Sequence, residues 1–159
     1  MTHETTLVLL RHGVAEPSSP SGDRDRSLAT NAFDGLQRQA ARLARFAPIV
    51  AIVSDARRTQ QTADVVLAGG SDVDRRSDAS IYEASVRDLR AVVDAAVSEG
   101  VAEAGAVVII GHNPGLTGLA HEMTGGTFAG VLSPGDGIVC AVDGSGGRLV
   151  EHWPAREGD

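Results

Sequence analysis

The heptapeptide LVLLRHG, residues 7–13, decides the fold class of this chain. Its first four residues form an apolar run with the length of a buried strand, and this run leads directly into a cation and an imidazole. A second stretch repeats the arrangement, with VVII at 107–110 followed by GHNPG at 111–115. Open α/β sheets bind their ligands at the carboxyl ends of parallel strands. We therefore expect His12 and His112 to meet at one edge of a sheet.

A third apolar run, at 49–53, is followed by the segment SDARRTQQT, residues 54–62. This segment brings further guanidinium groups to the same edge of the predicted sheet. Guanidinium groups bind phosphate oxygens through planar, paired hydrogen bonds. Two histidines and at least two arginines at one edge predict a phosphate site that also contains a nucleophile.

The alternation of apolar runs with helical patterns predicts an α/β fold, a three-layer sandwich whose mainly parallel central sheet carries helices on both faces. Strands are expected at 6–10, 49–53, 73–76, 107–110, 137–142 and 149–153. Helices are expected at 57–67, 85–97 and 116–123, and in a segment that Thr30 or Asn31 caps and that ends before Pro48. Residues 16–27 read as a loop and 144–147 as a hairpin turn. The length of 159 residues predicts a single domain over 1–159.

Composition and charge exclude several classes of partner. The net charge of −7 argues against nucleic acid or an anionic membrane, because both require a basic face. The single cysteine, Cys140, permits no intrachain disulfide and is predicted to be a buried structural thiol. Only four consecutive apolar residues precede Arg11, too few for a signal peptide or a membrane span. These features predict a cytoplasmic protein.

Three motifs in chain order carry a resemblance to a known family. They are Arg11-His12-Gly13, then Ser54 with Arg58 four residues on and Gln61-Thr62 behind it, then Gly111-His112-Asn113. Each motif alone is common by chance, but the three in this order and strand context are specific. The chain resembles the histidine phosphatase superfamily, which includes phosphoglycerate mutases and many phosphatases, over most of its length. Only one helix is predicted between Glu83 and Val107, which leaves no room for the helical cap domain of larger members.

The resemblance implies roles for six residues of the three motifs. His12 is the expected nucleophile, which attacks phosphorus and forms a phosphohistidine intermediate without any metal or other cofactor. Arg11 and Arg58 are expected to stabilise the charge on the transferring group. His112 is a further donor to the phosphoryl oxygens, and the backbone N–H of Gly13 and the side chain of Asn113 complete the predicted binding residues. Arg57 is interpreted as a solvated residue at a helix start.

The general acid has two candidates. Glu83 stands 25 residues after Arg58 (83 minus 58), close to where the family places its acidic residue, but it could equally be a carboxylate that stabilises a helix start. Asp25 lies in the loop 16–27, which we expect to form the rim of the site, and it could instead form a salt bridge with Arg26. An imidazole leaving group would need less help from an acid than an alcohol would.

The function expected from these observations is a metal-independent phosphatase, most similar to the small phosphohistidine phosphatases that act on phosphorylated signalling proteins. The alternatives are a phosphatase or mutase for small phosphomonoesters, and a phosphate-binding module without activity. The loop departs from the family pattern, because Ser27, Ala29 and Ala32 stand where Pro, Thr and Gly are expected. His121-Glu122 does not predict a zinc helix, because position 125 is glycine rather than a second histidine.

Overall fold

Six strands form one central sheet in the computed structural model, which describes residues 4–70, 72–99 and 105–156. The strands are β1 Thr5–Arg11, β2 Pro48–Ser54, β3 Asp74–Asp78, β4 Ala106–Gly111, β5 Gly137–Asp143 and β6 Gly146–Trp153. Their order across the sheet is β3-β2-β4-β1-β5-β6. The first four of these run parallel, and β5 alone is antiparallel to both of its neighbours. The predicted mainly parallel sheet is confirmed, and so is the hairpin that joins β5 to β6.

Four helices cover the two faces of the sheet. They are α1 Phe33–Ala44, α2 Arg57–Val66, α3 Val86–Ser98 and α4 Gly115–Met123. Alternate residues of each central strand face opposite layers, which is why the strands read as continuous apolar runs. Leu7 and Leu9 of β1 pack into a core with α3 and α4, whereas Val8 and Leu10 pack into a second core with α1 and α2. The three-layer prediction is therefore confirmed.

The helix starts differ from one another in how they are capped. Ser85 accepts a hydrogen bond from the backbone of Asp88, whose side chain accepts one from Ser85 in return, so α3 begins with a complete capping box. The predicted cap of α1 by Thr30 or Asn31 is wrong. A short 3₁₀ turn, Thr30–Ala32, runs straight into α1, because Ala32 already has helical backbone angles, and no side chain caps the helix there.

The carboxyl edge of the parallel strands is left uncovered by any inserted domain. Between β3 and β4 the described residues contain a 3₁₀ turn, Ala79–Ile81, and α3. Residues 16–27 form the expected loop, apart from one 3₁₀ turn at Asp23–Asp25. Cys140 is fully buried, and burial raises the pKa of its thiol to about 12. No helix in the described part of the chain is long and apolar enough to cross a membrane.

A buried glutamine on α1 connects the core to the sheet edge. Gln39, which is 0% exposed, donates from Nε2 to the carbonyls of Gly135 and Trp153, both at 2.8 Å. The backbone N–H of Gly135 in turn donates to the carbonyl of His12 at 2.7 Å. The turn that holds His12 therefore depends on an amide in the core.

Replacing Gln39 with Met should destabilise the protein, because the change preserves volume but leaves two buried carbonyls without their donor. We expect the free energy of unfolding to fall by about 2 kcal/mol, measured by urea denaturation. Gln37, two residues earlier on α1, is exposed and provides the matched control. Gln37→Met should change stability by no more than about 0.5 kcal/mol. Equal effects of the two variants would contradict the assigned role of Gln39.

Candidate active site

The two motif histidines lie side by side at the carboxyl edge of the sheet. Strand β1 pairs with β4 in a register that sets Arg11 opposite Gly111, so His12 and His112 follow at equivalent positions of neighbouring strands. Their ring centroids are 5.2 Å apart, and the residues are only 7% and 8% exposed. Arg58 enters the same place from the first turn of α2. The structure thus brings together the three side chains that the sequence separates by up to a hundred residues (112 minus 12).

The ring of His12 is held in one orientation. Its Nδ1 lies 2.8 Å from the carbonyl oxygen of Gly13. Because a carbonyl only accepts hydrogen bonds, Nδ1 carries the proton and the lone pair is on Nε2. The main chain is fixed as well, since the N–H of His12 donates to Gly111 at 3.1 Å. His12 therefore presents an unprotonated nitrogen in a fixed direction.

The surroundings of His12 keep its ring neutral. Burial, followed by the charges of Arg58 and Arg11, lowers the pKa of His12 from an ordinary value of 6.5 to about 4. The hydrogen bond to Gly13 acts in the opposite direction but does not overcome burial. Near neutral pH the imidazole is therefore uncharged, which is the form that can act as a nucleophile.

His112 is also neutral and is held by a buried serine. Its Nε2 lies 2.7 Å from Oγ of Ser54, which is 0% exposed. Burial, followed by the influence of His12 and Arg58, lowers the pKa of His112 to about 3. On the other side of the ring, Nδ1 lies 3.5 Å from Nη2 of Arg58. When the Ser54 hydroxyl donates to Nε2, Nδ1 carries a proton that points to the same region as the Arg58 guanidinium.

Two buried arginine nitrogens have no hydrogen-bond partner among the described residues. These are Nε of Arg11 and Nε of Arg58. Other nitrogens of the two side chains are anchored, since Arg11 donates from Nη1 to the carbonyl of Leu132 at 2.9 Å. Arg58 donates from Nη1 and Nη2 to the carbonyl and carboxylate of Asp23, at 2.8 and 3.2 Å. A buried cationic donor without a partner is costly, so the arrangement favours an anion beside His12.

Asp23 is the site residue that sequence reasoning missed. Its carboxylate accepts hydrogen bonds from Arg26 at 2.9 Å, from Arg58 and from the hydroxyl of Tyr82. The Tyr82 and Arg26 hydrogen bonds hold the pKa of Asp23 well below its usual range. The contact with Asp23 in turn raises the pKa of Tyr82, whose ring packs edge-on against His112. The only sequence signal was the alternation of Asp and Arg at 23–26, which does not distinguish Asp23 from Asp25.

Gly13 and Asn113, both predicted to bind substrate, have hydrogen-bond partners within the protein. The N–H of Gly13 donates to Oγ1 of Thr62 at 3.1 Å, and its contact with a phosphoryl oxygen stays a prediction. The Thr62 hydroxyl donates onward to the carbonyl of Arg58 at 2.8 Å. Asn113 donates to the carbonyl of Leu132 at 2.7 Å, the same carbonyl that holds Arg11. Asn113 and Arg11 thus share one acceptor, and a direct contact of Asn113 with substrate stays a prediction.

The two candidate acids lie in different environments. Glu83 is exposed, has a left-handed backbone angle φ of 59° in the turn before α3, and makes no hydrogen bond or ion pair with another described residue. Asp25 accepts from the Ser19 hydroxyl at 3.1 Å and lies 3.8 Å from Arg57. Asp25 therefore forms a salt bridge at the rim with Arg57, and the suggested pairing with Arg26 is wrong, because Arg26 binds Asp23. Arg57 is exposed, in agreement with its interpretation as a surface residue.

Within the described residues, no group of three or more His, Cys, Asp or Glu side chains is arranged to hold a metal ion. His121 is used locally, since its Nε2 lies 2.6 Å from the carbonyl of Gly130. The site therefore consists of two neutral imidazoles, two arginines and one ionised carboxylate.

A family model, described as the histidine phosphatase superfamily (branch 1), matches residues 7–104. The chain belongs to the histidine phosphatase superfamily. It is accordingly an enzyme, a phosphatase of the histidine-nucleophile class. No curated protein sequence matches the chain.

Solved structures of this fold cover nearly all of the chain. The protein histidine phosphatase SixA, solved with tungstate, has a TM-score of 0.82 at 22% identity, over 94% of this chain and 97% of that one. The mycobacterial glucosyl-3-phosphoglycerate phosphatase has a TM-score of 0.72 at 17% identity, over 97% and 100%. Phosphoglycerate mutase from Bacillus anthracis str. Sterne has a TM-score of 0.77 at 13% identity, over 97% and 95%. At these identities the likeness establishes the fold and leaves the substrate open.

The lowered pKa of His12 should make stability depend on pH. Between pH 6.5 and about 4 the unfolded chain binds a proton that the folded chain excludes. The free energy of unfolding should therefore fall as the pH is lowered from 7 towards 5, by roughly 1 kcal/mol per pH unit for such a group. In urea denaturation, His12→Gln should reduce this slope, whereas His152→Gln at an exposed position should not. An unchanged slope in His12→Gln would argue against a neutral, buried His12.

Proposed function

We propose that this protein is a metal-independent phosphatase that uses His12 as its nucleophile and removes phosphate from phosphohistidine on a signalling protein. One observation carries the first part of the proposal. The unprotonated Nε2 of His12 lies in a site where Nε of Arg11 and Nε of Arg58 are buried donors without a partner among the described residues. A phosphoryl group supplies the missing acceptors to these donors and the electrophile to the imidazole.

The reaction has two balanced steps. In the first, Nε2 of His12 forms a bond to phosphorus while the bond to the leaving group breaks and its electron pair departs with that group. Arg11 and Arg58 stabilise the charge on the equatorial oxygens. With the Ser54 hydroxyl donating to Nε2 of His112, Nδ1–H of His112 is a further donor to these oxygens, 3.5 Å from Nη2 of Arg58. In the second, water attacks phosphorus and releases a proton to the solvent, the P–N bond breaks with its electron pair returning to Nε2, and inorganic phosphate leaves.

The leaving group favours a phosphohistidine substrate. An imidazole departs more readily than an alkoxide, so it depends less on the general acid. Glu83, our first candidate for that acid, is exposed in a turn, whereas Asp25 is already paired with Arg57. The uncovered edge of the sheet, in a single domain over 1–159, leaves room for a phosphorylated side chain on another protein. The relatives named above include both a protein histidine phosphatase and a phosphatase of a small phosphoester, and they support either substrate class.

A cytoplasmic location is part of the same proposal. The only cysteine is buried and has its pKa raised, so the chain needs no oxidising compartment.

The nucleophile can be tested by trapping the intermediate. Quenching turnover of p-nitrophenyl phosphate under non-acidic conditions should leave phosphate on His12 as an acid-labile, base-stable adduct, identified by mass spectrometry. His12→Ala should abolish both the adduct and turnover, while His152→Ala should retain them. Activity should persist in excess EDTA and be inhibited by vanadate. Turnover that disappears on chelation and returns with a divalent ion would overturn the mechanism.

The general acid can be tested by comparing leaving groups. Glu83→Gln should lower kcat/KM for an alkyl phosphomonoester by about a hundredfold and affect a phosphohistidine protein much less, because only the alkoxide needs a proton. Asp25→Asn is the parallel variant for the other candidate. If Glu83→Gln slows neither substrate, Glu83 is a surface carboxylate near a helix start. If the wild-type enzyme strongly prefers the alkyl ester, the substrate in this proposal is wrong.

A further inference from the structure

Asp23 occupies an unusual position, because a carboxylate binds the arginine that is expected to bind phosphate. The Asp23 carbonyl accepts a hydrogen bond from Nη1 of Arg58, and Oδ2 of Asp23 accepts one from Nη2. These two nitrogens form the end of the guanidinium. Nε of the same guanidinium is buried and has no partner among the described residues. Asp23 and a phosphoryl group can therefore bind different edges of Arg58 at the same time.

The exposures of His12 and Asp23 indicate on which side of a bound phosphoryl group Asp23 lies. His12 is 7% exposed and attacks from the buried side of the phosphoryl group, so an in-line displacement sends the leaving group towards solvent. The side chain of Asp23 is 51% exposed. It is also bonded to Tyr82, whose ring contacts His112. Asp23 thus lies at the open side of the site, where the leaving group departs.

We propose that Asp23 is a specificity residue that selects leaving groups with a cationic N–H, that is, phosphoramidates such as phosphohistidine, over phosphate esters. This inference rests on the proposed function and names a residue that enforces it. The Asp23 carboxylate accepts a hydrogen bond from the second ring nitrogen of a phosphorylated imidazole.

The chemistry of the two substrate classes differs at this contact. In a phosphoimidazole that is protonated on its second nitrogen, breaking the P–N bond returns the electron pair to the ring and releases neutral imidazole with no further proton. An anionic acceptor stabilises the positive ring before the bond breaks. In an ester, negative charge develops on the leaving oxygen, and a nearby carboxylate opposes it. Three donors, from Arg26, Arg58 and Tyr82, keep Asp23 ionised, so it cannot serve as the proton donor that an ester needs.

The experiment compares two small substrates, phosphoimidazole and p-nitrophenyl phosphate, whose leaving groups have similar basicity. The leaving group of protonated phosphoimidazole carries positive charge, whereas that of p-nitrophenyl phosphate develops negative charge. We would measure kcat/KM of the purified full chain for both, in the wild-type enzyme and in Asp23→Asn. The variant should lower the ratio of phosphoimidazole to p-nitrophenyl phosphate activity by about tenfold or more, because it removes the charge and preserves the shape. Asp64→Asn removes another carboxylate that is paired with an arginine, on α2, and should leave the ratio unchanged. A ratio cancels general losses of folded enzyme, and Asp23→Ala provides a second neutral variant.

The possible failures are distinguishable. If wild-type enzyme prefers phosphoimidazole but neither Asp23 variant changes the ratio, Asp23 only supports Arg58 and this inference is overturned, while the proposed substrate stands. If the Asp23 variants slow both substrates equally, the ratio of the two activities is again unchanged, and this inference is overturned. If wild-type enzyme hydrolyses p-nitrophenyl phosphate and not phosphoimidazole, the proposed substrate and the role of Asp23 are both wrong.

Discussion

The parallel pairing of β1 with β4 is the constraint on which the site depends. A shift of the register by one residue would turn the side chains of one strand to the opposite layer, and every apolar residue of these strands packs into the core on its own side. The apolar packing therefore holds Arg11 opposite Gly111, and the rings of the two histidines that follow lie 5.2 Å apart. The hydrophobic cores set the register, and buried hydrogen bonds from Gln39 and Thr62 then hold the turn after β1 in place.

The site concentrates positive charge in a protein whose net charge is −7. Each arginine has its own counter-charge. Asp136, which is 7% exposed, lies near Arg11, partly offsets the effect of burial on the Arg11 pKa, and is held by backbone N–H groups of Ser133 and Ala155. Asp23, which pairs with Arg58, lies on an exposed turn. Asp136 is buried, whereas Asp23 borders the solvent. Only Asp23 is therefore in a position to contact a bound ligand.

Much of the fold follows from local sequence, because the apolar runs and the turn residues are strong signals. The strands at 6–10 and 107–110 and the helix at 85–97 are examples. The start of α1 was misjudged, since Thr30 and Asn31 are typical caps, but the chain there continues a 3₁₀ turn. Within the site, the position of each motif was predictable, whereas the partner of each polar atom was not. Gly13 and Asn113 are bonded to Thr62 and Leu132, and these pairings arise only when distant segments pack together.

The hydroxyl of Thr62 connects two parts of the site. It accepts from the backbone N–H of Gly13, next to His12, and donates to the carbonyl of Arg58, so the turn that carries His12 and the helix that carries Arg58 are joined by one buried side chain. His12 and Arg58 are thereby held by a buried hydrogen-bond chain that does not involve the solvent-facing loop. In the proposed reaction, groups fixed in this way need not be realigned as charge develops on the transferring group.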